Sequence, residues 1–394
     1  MKNGILYLLT AGAFVVGTAE LVVAGILDRI AEDLNVTVGA AGQLIAAYSL
    51  AYAIGTPVII AATSRLSRNA LLIGSLALFA LGCAVSVAAD DYAIVVAGRV
   101  VLGVSSGIFS VIAFGAAAEL VPPEKRGRAV GMVTLGMSAA TVLGIPAGVL
   151  FANWGNWRTI FIWLCILTLL IMAGIRLWLP KLKGDAPVRF TEQFRVLRNP
   201  VIVSGFLLSG LFTTSASLMN SYQVPYLQDV LHSRESSVSA LLLVFGLFGM
   251  IGSRLGGVAT DKSGSKRIVV LGLAAIAAAL ILLPALSGSR PLGWATLAVW
   301  NGVMSLTIPA VLTYLIQQAP QSANIVLGFN TSMLHLGVAL GASGGGALLQ
   351  SAGTVRYHPW IAAAIALAGL VAAAASFAAG RRMRLRTART GEAI

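Results

Sequence analysis

The sequence predicts an all-α membrane protein in which twelve transmembrane helices form two pseudo-symmetric six-helix bundles. Composition, a series of long apolar stretches and an internal repeat predict this fold. Of the 394 residues, 58% are hydrophobic and only 10% are charged, and the mean hydropathy is +0.89. A soluble domain carries charge on about a quarter of its residues, so a soluble fold is excluded.

Apolar stretches of about twenty residues recur along the chain, each long enough to cross a hydrocarbon core of about 30 Å. We expect twelve spans, at 5–27, 40–62, 70–89, 93–117, 130–151, 159–179, 201–225, 237–259, 268–286, 294–315, 326–349 and 359–380.

An internal repeat relates the two halves of the chain. A shift of 197 residues places Gly55 on Gly252 and Pro123 on Pro320, and it places loop 63–69 on 260–266. Internal duplication of helix bundles marks transporter folds. The repeat indicates that six helices were duplicated in parallel.

The duplication also predicts the domain boundaries. We expect an N-terminal bundle over 1–179, a cytoplasmic linker over 180–200, a C-terminal bundle over 201–380 and a basic cytoplasmic tail over 381–394.

The basic residues predict the orientation, because loops rich in Lys and Arg resist translocation. The net charge of +13 would suggest a nucleic-acid partner in a soluble protein, but here the charges lie in short loops. With both termini in the cytoplasm, most of these residues fall on the inner side. We therefore expect a multi-pass membrane protein with both termini in the cytoplasm and with no nucleic-acid partner.

The sequence gives no pattern of enzyme or metal chemistry. Cys83 and Cys165 lie in apolar stretches and cannot form a disulfide framework. The three histidines are scattered, without a metal-ligand spacing. Two stretches, 103–107 and 341–345, match the hydrolase pattern G-x-S-x-G, but neither can form a strand-to-helix elbow inside an apolar helix. We expect no enzyme activity, metal or cofactor.

Ionisable residues inside the spans are the strongest functional candidates, because a charge at the bilayer centre is costly. Glu20 and Arg99 both lie about 10 Å below the outer surface, at 1.5 Å per residue. The pair is either a proton-coupling site or a structural ion pair. His335 lies about 14 Å from the inner face, where it either binds substrate or joins two helices.

Polar residues within the spans predict a wet cavity, because buried amides and hydroxyls need partners in lipid. Aromatic faces and amides would stack on and hydrogen-bond a flat ring. The candidates for substrate contact are Tyr48, Tyr52, Asn220, Gln223, Asn301 and Asn330. Direct bonding between helices is the alternative for each of them.

Seven short motifs occur at fixed places in the predicted spans. They are Gly257-x-x-x-Asp261-Lys262-x-Gly264-x-Lys266, Arg99-x-x-x-Gly103-x-x-x-Gly107, Pro122-Pro123-Glu124-Lys125-Arg126-Gly127-Arg128-Ala129, Gly144-Ile145-Pro146-Ala147-Gly148, Gly17-Thr18-Ala19-Glu20-Leu21, Trp157-Arg158 and Phe329-Asn330-Thr331-Ser332. Together they resemble the motifs of the major facilitator superfamily, over essentially the whole chain. Within it the chain is most similar to the twelve-span drug:proton antiporters, and most of all to bacterial purine-base and arabinose-type efflux permeases. The resemblance implies the major facilitator fold.

The fifth predicted span carries what looks like the antiporter motif of that superfamily, formed by Gly144, Pro146 and Gly148. Its glycines allow close helix approach and its proline bends the helix. Close packing without coupling is the alternative. Two residues depart from the family pattern, since Ser64 stands where the first loop would have an Asp and Ile145 separates the usual Gly-Pro pair.

The resemblance implies proton-coupled efflux of a small neutral or aromatic molecule by alternating access, driven by the proton gradient. Purine bases or nucleosides are the first candidate substrates, amphipathic drugs the second and sugars the third. A passive facilitator or channel, or a sugar efflux permease, is the alternative. The resemblance further implies a location in the bacterial cytoplasmic (inner) membrane, and we expect a monomer. The resemblance also implies a cytoplasmic latch, in which Asp261 meets Arg126 and Arg128 when the cytoplasmic side is closed.

Overall fold

The computed structural model describes residues 2–63, 66–122, 125–180, 182, 194–318 and 323–390. This part of the chain is almost entirely helical. The helices are α1 (Lys2–Gly25), α2 (Leu27–Asp33), α3 (Val38–Ala62), α4 (Arg68–Ala88), α5 (Tyr92–Glu119), α6 (Arg126–Trp154), α7 (Arg158–Trp178), α8 (Pro200–Asn220), α9 (Glu235–Ser263), α10 (Ser265–Leu286), α11 (Arg290–Gln318), α12 (Ala323–Ala352) and α13 (His358–Thr390).

Twelve helices of the described chain are long and apolar enough to cross a membrane, namely all of these except the seven-residue α2. They correspond in order to the twelve predicted spans, so the predicted fold class is confirmed.

The internal repeat is visible in the helix boundaries. Helices α3, α4 and α6 begin at Val38, Arg68 and Arg126, and α9, α10 and α12 each begin 197 residues later. Corresponding helices of the two halves therefore begin at equivalent positions of the repeat.

Short polar residues begin several of these helices, as their chemistry predicts. The side chains of Thr37, Ser67 and Asp91 accept hydrogen bonds from the first-turn amides of α3, α4 and α5, at 3.1, 3.3 and 2.8 Å. These caps place the start of each span at the residue where its apolar stretch begins.

The connection between the eighth and ninth spans is shorter than the predicted loop 260–266. Helix α9 continues to Ser263 and α10 begins at Ser265, so Gly264 alone connects them, with φ of +82°. Asp261 consequently lies in the last turn of α9 rather than in a loop. The difference arises because hydropathy marks where a helix leaves the lipid, and polar residues such as Lys262 continue the helix beyond that point.

The predicted seventh span is also too long. Helix α8 ends at Asn220, and after a two-residue break the chain forms a short helical turn, Gln223–Pro225, and then a π-helical turn, Tyr226–Val230. Pro225 lacks a backbone N–H, so it cannot donate the hydrogen bond that would continue a regular helix from Asn220 through this turn. The apolar character of this region hid the break from the sequence pattern.

The chain divides into two compact units. The first contains 1–187, 220–246 and 342–355, and the second contains 188–219, 247–341 and 356–394. Three segments of the second unit alternate with those of the first, so α9 and α12 each run through both units. This division differs from the two bundles expected from the repeat, and the bundle boundaries remain a prediction. Of the expected linker, residues 181 and 183–193 lie outside the described residues.

Candidate functional site

The buried guanidinium of Arg99 joins three helices of the first unit. Arg99 projects from α5 and is 1% exposed. Its Nη1 donates to the carbonyl oxygen of Ala19 in α1 at 2.8 Å, and its Nε donates to that of Leu44 in α3 at 3.2 Å. Hydrogen bonds from a charged donor are among the strongest in proteins. Arg99 therefore fixes the relative positions of α1, α3 and α5 at this depth.

Glu20 lies beside this guanidinium. The residue before it, Ala19, accepts the hydrogen bond from Arg99, and Glu20 itself is half-buried. Its carboxyl group interacts electrostatically with Arg99 and with the hydroxyls of Tyr48 and Tyr52. The structure therefore brings together four candidate residues from three separate predicted spans, namely Glu20, Tyr48, Tyr52 and Arg99.

The two tyrosines belong to the packed interior of the unit. The Arg99 guanidinium carbon lies 4.5 Å from the centroid of the Tyr48 ring, in a cation–π contact. The rings of Tyr48 and Tyr52 are 6.5 Å apart between centroids and tilted by 40°. Tyr48 is 0% and Tyr52 4% exposed, so a ligand reaches these rings only if the helices move.

Two glycines of α5 explain how the helices approach so closely. A Cβ atom on Gly103 would lie 2.2 Å from the carbonyl oxygen of Tyr48, and one on Gly107 would lie 1.7 Å from Oγ1 of Thr56. Either distance is too short for a side chain. The stretch 103–107, which imitates a hydrolase motif in the sequence, is thus the face of α5 that packs on α3.

The glycines of the antiporter motif pack against α1, on the turns that carry Glu20. A Cβ atom on Gly144 would lie 3.3 Å from Thr18, and one on Gly148 would lie 2.0 Å from a methyl carbon of Val22. Pro146 lies inside α6 between them. The motif therefore holds α6 close to the helix that presents the carboxyl group, an arrangement that fits either close packing or coupling.

A second close contact within the first unit joins α3 to the segment 342–355. Cβ atoms on Gly39 and Gly346 would lie 2.8 and 2.6 Å from each other's carbonyl oxygens. Nearby, Ser343 Oγ donates to Gln43 Oε1 at 2.8 Å. Ser343 is the serine of the second G-x-S-x-G match, and this hydrogen bond gives it a structural role.

The other predicted substrate contacts are distributed over both units. Asn220 and Gln223 belong to the first unit, where Asn220 is half-buried and Gln223 is 5% exposed. Within the described part of the chain, Nε2 of Gln223 has no hydrogen-bond partner. A buried amide of this kind can donate to a ligand.

Asn301, Asn330 and His335 belong to the second unit. Asn301 Nδ2 donates to the carbonyl oxygen of Leu297 in its own helix at 2.9 Å. Asn330 is 1% exposed, and its Oδ1 accepts no hydrogen bond from the residues that the structure describes. His335 is half-buried in the same helix, α12.

Two charge clusters lie along α2, one reaching the start of α9 and the other the start of α7, and the sequence did not predict how their residues pair. Arg29 forms an ion pair with Glu235, and the two residues line a cavity of about 30 Å³ together with Asp28 and Asn153. Burial and, to a smaller extent, the charge of Asp229 raise the pKa of Asp28 to about 6, while the charge of Arg29 acts to lower it. Residues 206 positions apart in the chain form this pair, so no local pattern could reveal it.

The second cluster involves Trp157 and Arg158, which the family resemblance had marked. Trp157 Nε1 donates to Asp33 Oδ2 at 3.0 Å, and Arg158 forms an ion pair with the same carboxylate. Arg158 also donates to the carbonyl oxygen of Ala89 at 2.7 Å. Burial acts to raise the pKa of Asp33, but the hydrogen bonds from Trp157 and Arg158 lower it overall. This motif therefore ties α2 to the start of α7.

The residues of the expected latch lie at helix ends. Arg126 and Arg128 are exposed in the first turn of α6, and Asp261 is exposed in the last turn of α9. Ser64 lies outside the described residues. The latch remains a prediction.

No group of three His, Cys, Asp or Glu side chains that could hold a metal ion occurs among residues 2–63, 66–122, 125–180, 182, 194–318 and 323–390.

Comparisons with known proteins agree with this architecture. The model of the Major Facilitator Superfamily matches residues 9–342 and 224–392. The chain is 30% identical over 367 residues to the uncharacterized MFS-type transporter YbcL of Bacillus subtilis, covering 93% of this chain and 94% of that protein. It is 29% identical over 343 residues to the chloramphenicol resistance protein of Streptomyces lividans, covering 85% and 86% of the two chains.

Among solved structures, the chain resembles the D-xylose-proton symporter. The TM-score is 0.75 at 16% identity, over 94% of this chain and 96% of that chain. Such a likeness at this identity concerns the fold alone. With the family match over most of its length, twelve spans and a duplicated arrangement of helices, the chain belongs to the Major Facilitator Superfamily.

Proposed function

We propose that this transporter exports small neutral or aromatic organic molecules across the bacterial cytoplasmic membrane in exchange for protons. The chain is a membrane transporter by family, and the proposal adds its energy source, direction and substrate class. Both termini lie in the cytoplasm in this proposal, and one chain is the working unit.

The observation that carries the proposal is the position of Glu20 beside the buried guanidinium of Arg99. Intramembrane carboxyl groups mark proton relays in pumps and transporters. Arg99 is held by two carbonyl oxygens and the Tyr48 ring, so it stays in place while the carboxyl group beside it gains or loses a proton. Export follows if substrate and proton occupy the cavity alternately.

The substrate class is supported by the available polar groups and by one relative. Buried amides at Gln223 and Asn330 offer a donor and an acceptor without partners among the described residues. Such groups recognise neutral molecules with a few polar atoms. The similar protein of Streptomyces lividans is named for resistance to chloramphenicol, an aromatic amide. Purine bases or nucleosides remain our first candidates, amphipathic drugs the second and sugars the third.

The alternating cycle needs a contact that closes the cytoplasmic side. We assign this role to Asp261 with Arg126 and Arg128, because an anion near a helix N-terminus and two cations is stabilised. The antiporter motif of Gly144, Pro146 and Gly148 would then keep α6 against the helix that carries Glu20.

Transport by purified protein in liposomes tests the proposal. Vesicles with an acidic lumen should accumulate labelled hypoxanthine or chloramphenicol above the external concentration, with L-arabinose as the sugar probe. The Glu20→Gln variant should lose uphill accumulation and keep downhill exchange. The matched control is Glu32→Gln, which alters an exposed carboxylate on α2. Uphill transport by Glu20→Gln at the wild-type rate would refute the assignment. Net flux that is the same with and without a pH gradient, and never exceeds equilibration, would show a passive facilitator.

A further inference from the structure

The last helix, α13, extends beyond the part of it that can cross a membrane. Its candidate span ends at Arg381, and the helix continues without a break to Thr390. Five of the nine residues from 381 to 389 are arginines, and the first acidic residue after them is Glu392. This arginine run consists of Arg381, Arg382, Arg384, Arg386 and Arg389. The proposed transport cycle makes no use of it.

Packing within the second unit fixes the level at which the arginine run begins. Ser376 Oγ donates to the carbonyl oxygen of Val201 at 3.1 Å. A Cβ atom on Gly380 would lie 3.5 Å from Val201 and 3.6 Å from Gln318. Val201 lies in the first turn of α8, and Gln318 is the last residue of α11. Gly380 is therefore level with the ends of two neighbouring spans, and Arg381, which follows it, is exposed.

A cation from another helix lies at the same end of α13. Lys266, in the first turn of α10, has its Nζ 5.4 Å from the centroid of the Phe377 ring in a cation–π contact. Phe377 and Arg381 are four residues apart, so they share one face of α13 at a spacing of about 6 Å along its axis. Lys266 therefore adds positive charge on the face that leads to the arginine run.

The second unit has few carboxylates that could neutralise these cations. Its sequence contains fourteen Lys and Arg residues, but its acidic residues are only Glu192, Asp261 and Glu392. The first unit is nearly balanced, with thirteen basic and eleven acidic residues, and there Arg68 pairs with Glu119 at 2.8 Å. An anion that neutralises the arginine run must come from elsewhere.

Phospholipid headgroups lie at the level of these arginines. A bilayer has a hydrocarbon core of about 30 Å and a total thickness of about 40–45 Å, so each headgroup layer is about 5–8 Å thick. At 1.5 Å per residue, positions 381–386 of the continuous helix extend over about 8 Å. Four of the five arginines therefore coincide with the layer that contains the phosphates. Arginine suits this partner, because its planar guanidinium binds phosphate through two parallel hydrogen bonds.

We propose that the arginine run of α13, together with Lys266, is a docking site for anionic phospholipids such as phosphatidylglycerol and cardiolipin. Clusters of basic residues next to the end of a transmembrane helix attract lipids of negative charge. Phosphatidylethanolamine carries the same phosphate but also an ammonium group, so its net charge is zero and it binds more weakly. The headgroups already occupy this level, whereas a soluble polyanion has to displace them. The inference is independent of the substrate and of proton coupling.

Native mass spectrometry of the full chain counts bound lipids and tests the docking site. The protein is released from detergent at increasing ratios of phosphatidylglycerol or phosphatidylethanolamine, and the adduct peaks give a binding constant for each lipid. We expect the wild type to bind phosphatidylglycerol more tightly. The variant R382Q/R384Q should bind it about tenfold more weakly, because each arginine contributes to the attraction. The variant R382K/R384K keeps the charge and should keep most of the affinity.

The matched control is R290Q/R356Q, which removes the same number of charges from the second unit. Arg290 is the first residue of α11 and Arg356 precedes α13, so both lie at the opposite ends of these helices from the arginine run. Both are exposed. This variant should keep the wild-type affinity for phosphatidylglycerol.

Four results would overturn the docking site. The first is an equal affinity for phosphatidylglycerol in wild type and R382Q/R384Q, and the second is an equal affinity of the wild type for both lipids. Displacement of the lipid by inorganic phosphate would make the run a site for free phosphate. Displacement by a single-stranded oligonucleotide would make it a site for nucleic acid. None of these results bears on the proposed function, which Glu20→Gln tests separately.

Discussion

Two aspartates at opposite ends of α2 should give this protein opposite dependences of stability on pH. Burial and the nearby Asp229 raise the pKa of Asp28 to about 6 from an ordinary value of 3.8. Hydrogen bonds from Trp157 and Arg158 lower the pKa of Asp33, although burial opposes them. Because both residues lie on one short helix, each is a control for the other.

The sign for Asp28 follows from its raised pKa. The folded protein holds this proton more tightly than the unfolded chain, so the stabilisation is complete below pH 3.8 and is lost as the pH rises through about 6. The difference of about 2.2 pKa units corresponds to about 3 kcal/mol at most, at 1.36 kcal/mol per unit. Solvent at the exposed edge of this half-buried side chain reduces that figure.

Asp28→Asn removes the ionisable group and keeps the shape of the side chain. We expect the variant to unfold at a higher temperature than the wild type at pH 8, with a smaller difference between the two at pH 5. Asp33→Asn should do the reverse. Because folding lowers the pKa of Asp33, its stabilisation is present at pH values above the ordinary pKa of 3.8 and is lost as the pH falls through the pKa of the folded protein. This variant should be destabilised at pH 8.

Thermal unfolding of the full chain in detergent, followed by the fluorescence of its seven tryptophans, measures both effects. The decisive quantity is the change in midpoint between pH 5 and pH 8 for each variant relative to wild type. If Asp28→Asn retains the wild-type pH dependence, or is the less stable protein at pH 8, the raised pKa is not a property of the folded protein and the reasoning fails.

Three further predictions concern packing, the guanidinium and the latch. Gly136→Ala should lower the free energy of unfolding by about 1–3 kcal/mol, because the added Cβ atom would lie 2.1 Å from the carbonyl oxygen of Thr10. Gly131→Ala is the control, since its Cβ atom would have nothing within 4 Å, and it should cost no stability in the same unfolding assay. Arg99→Lys should lower the melting temperature and abolish gradient-driven transport, since an ammonium cannot reproduce the planar fork that bonds two carbonyl oxygens; a fully active lysine variant would show that only the charge matters. In a background without Cys83 and Cys165, Asp261→Asn should increase labelling of a cysteine introduced at Gln223 from the cytoplasmic side about tenfold if the latch contributes about 1.4 kcal/mol. Unchanged labelling of the folded variant would make Asp261 an ordinary exposed residue.

Hydropathy and the repeat made the order of the helices predictable. A span needs about twenty apolar residues whatever its neighbours are, so its presence can be inferred from local sequence. The shift of 197 residues then related helix starts such as Arg68 and Ser265. Helix ends were less predictable, as the continuation of α9 through Asp261 shows, because polar residues extend a helix into water as readily as they form a loop.

The candidate site could be predicted only in part. Glu20 and Arg99 were identifiable because charges are rare inside spans, and their equal depth suggested that they meet. Ser343 lies in a stretch that imitates a hydrolase motif, and only the tertiary fold shows that its hydroxyl donates to Gln43, 300 positions away in the chain. The pairing of Arg29 with Glu235 depends on the tertiary fold, and no sequence pattern contains it.

The connection through Gly264 couples the two helices that it joins. One residue separates the end of α9 at Ser263 from the start of α10 at Ser265. One residue spans at most about 3.6 Å, so this connection cannot absorb a shift of one helix relative to the other. A displacement of the Ser263 end of α9 is therefore transmitted directly to the start of α10, and the two helices move as one element.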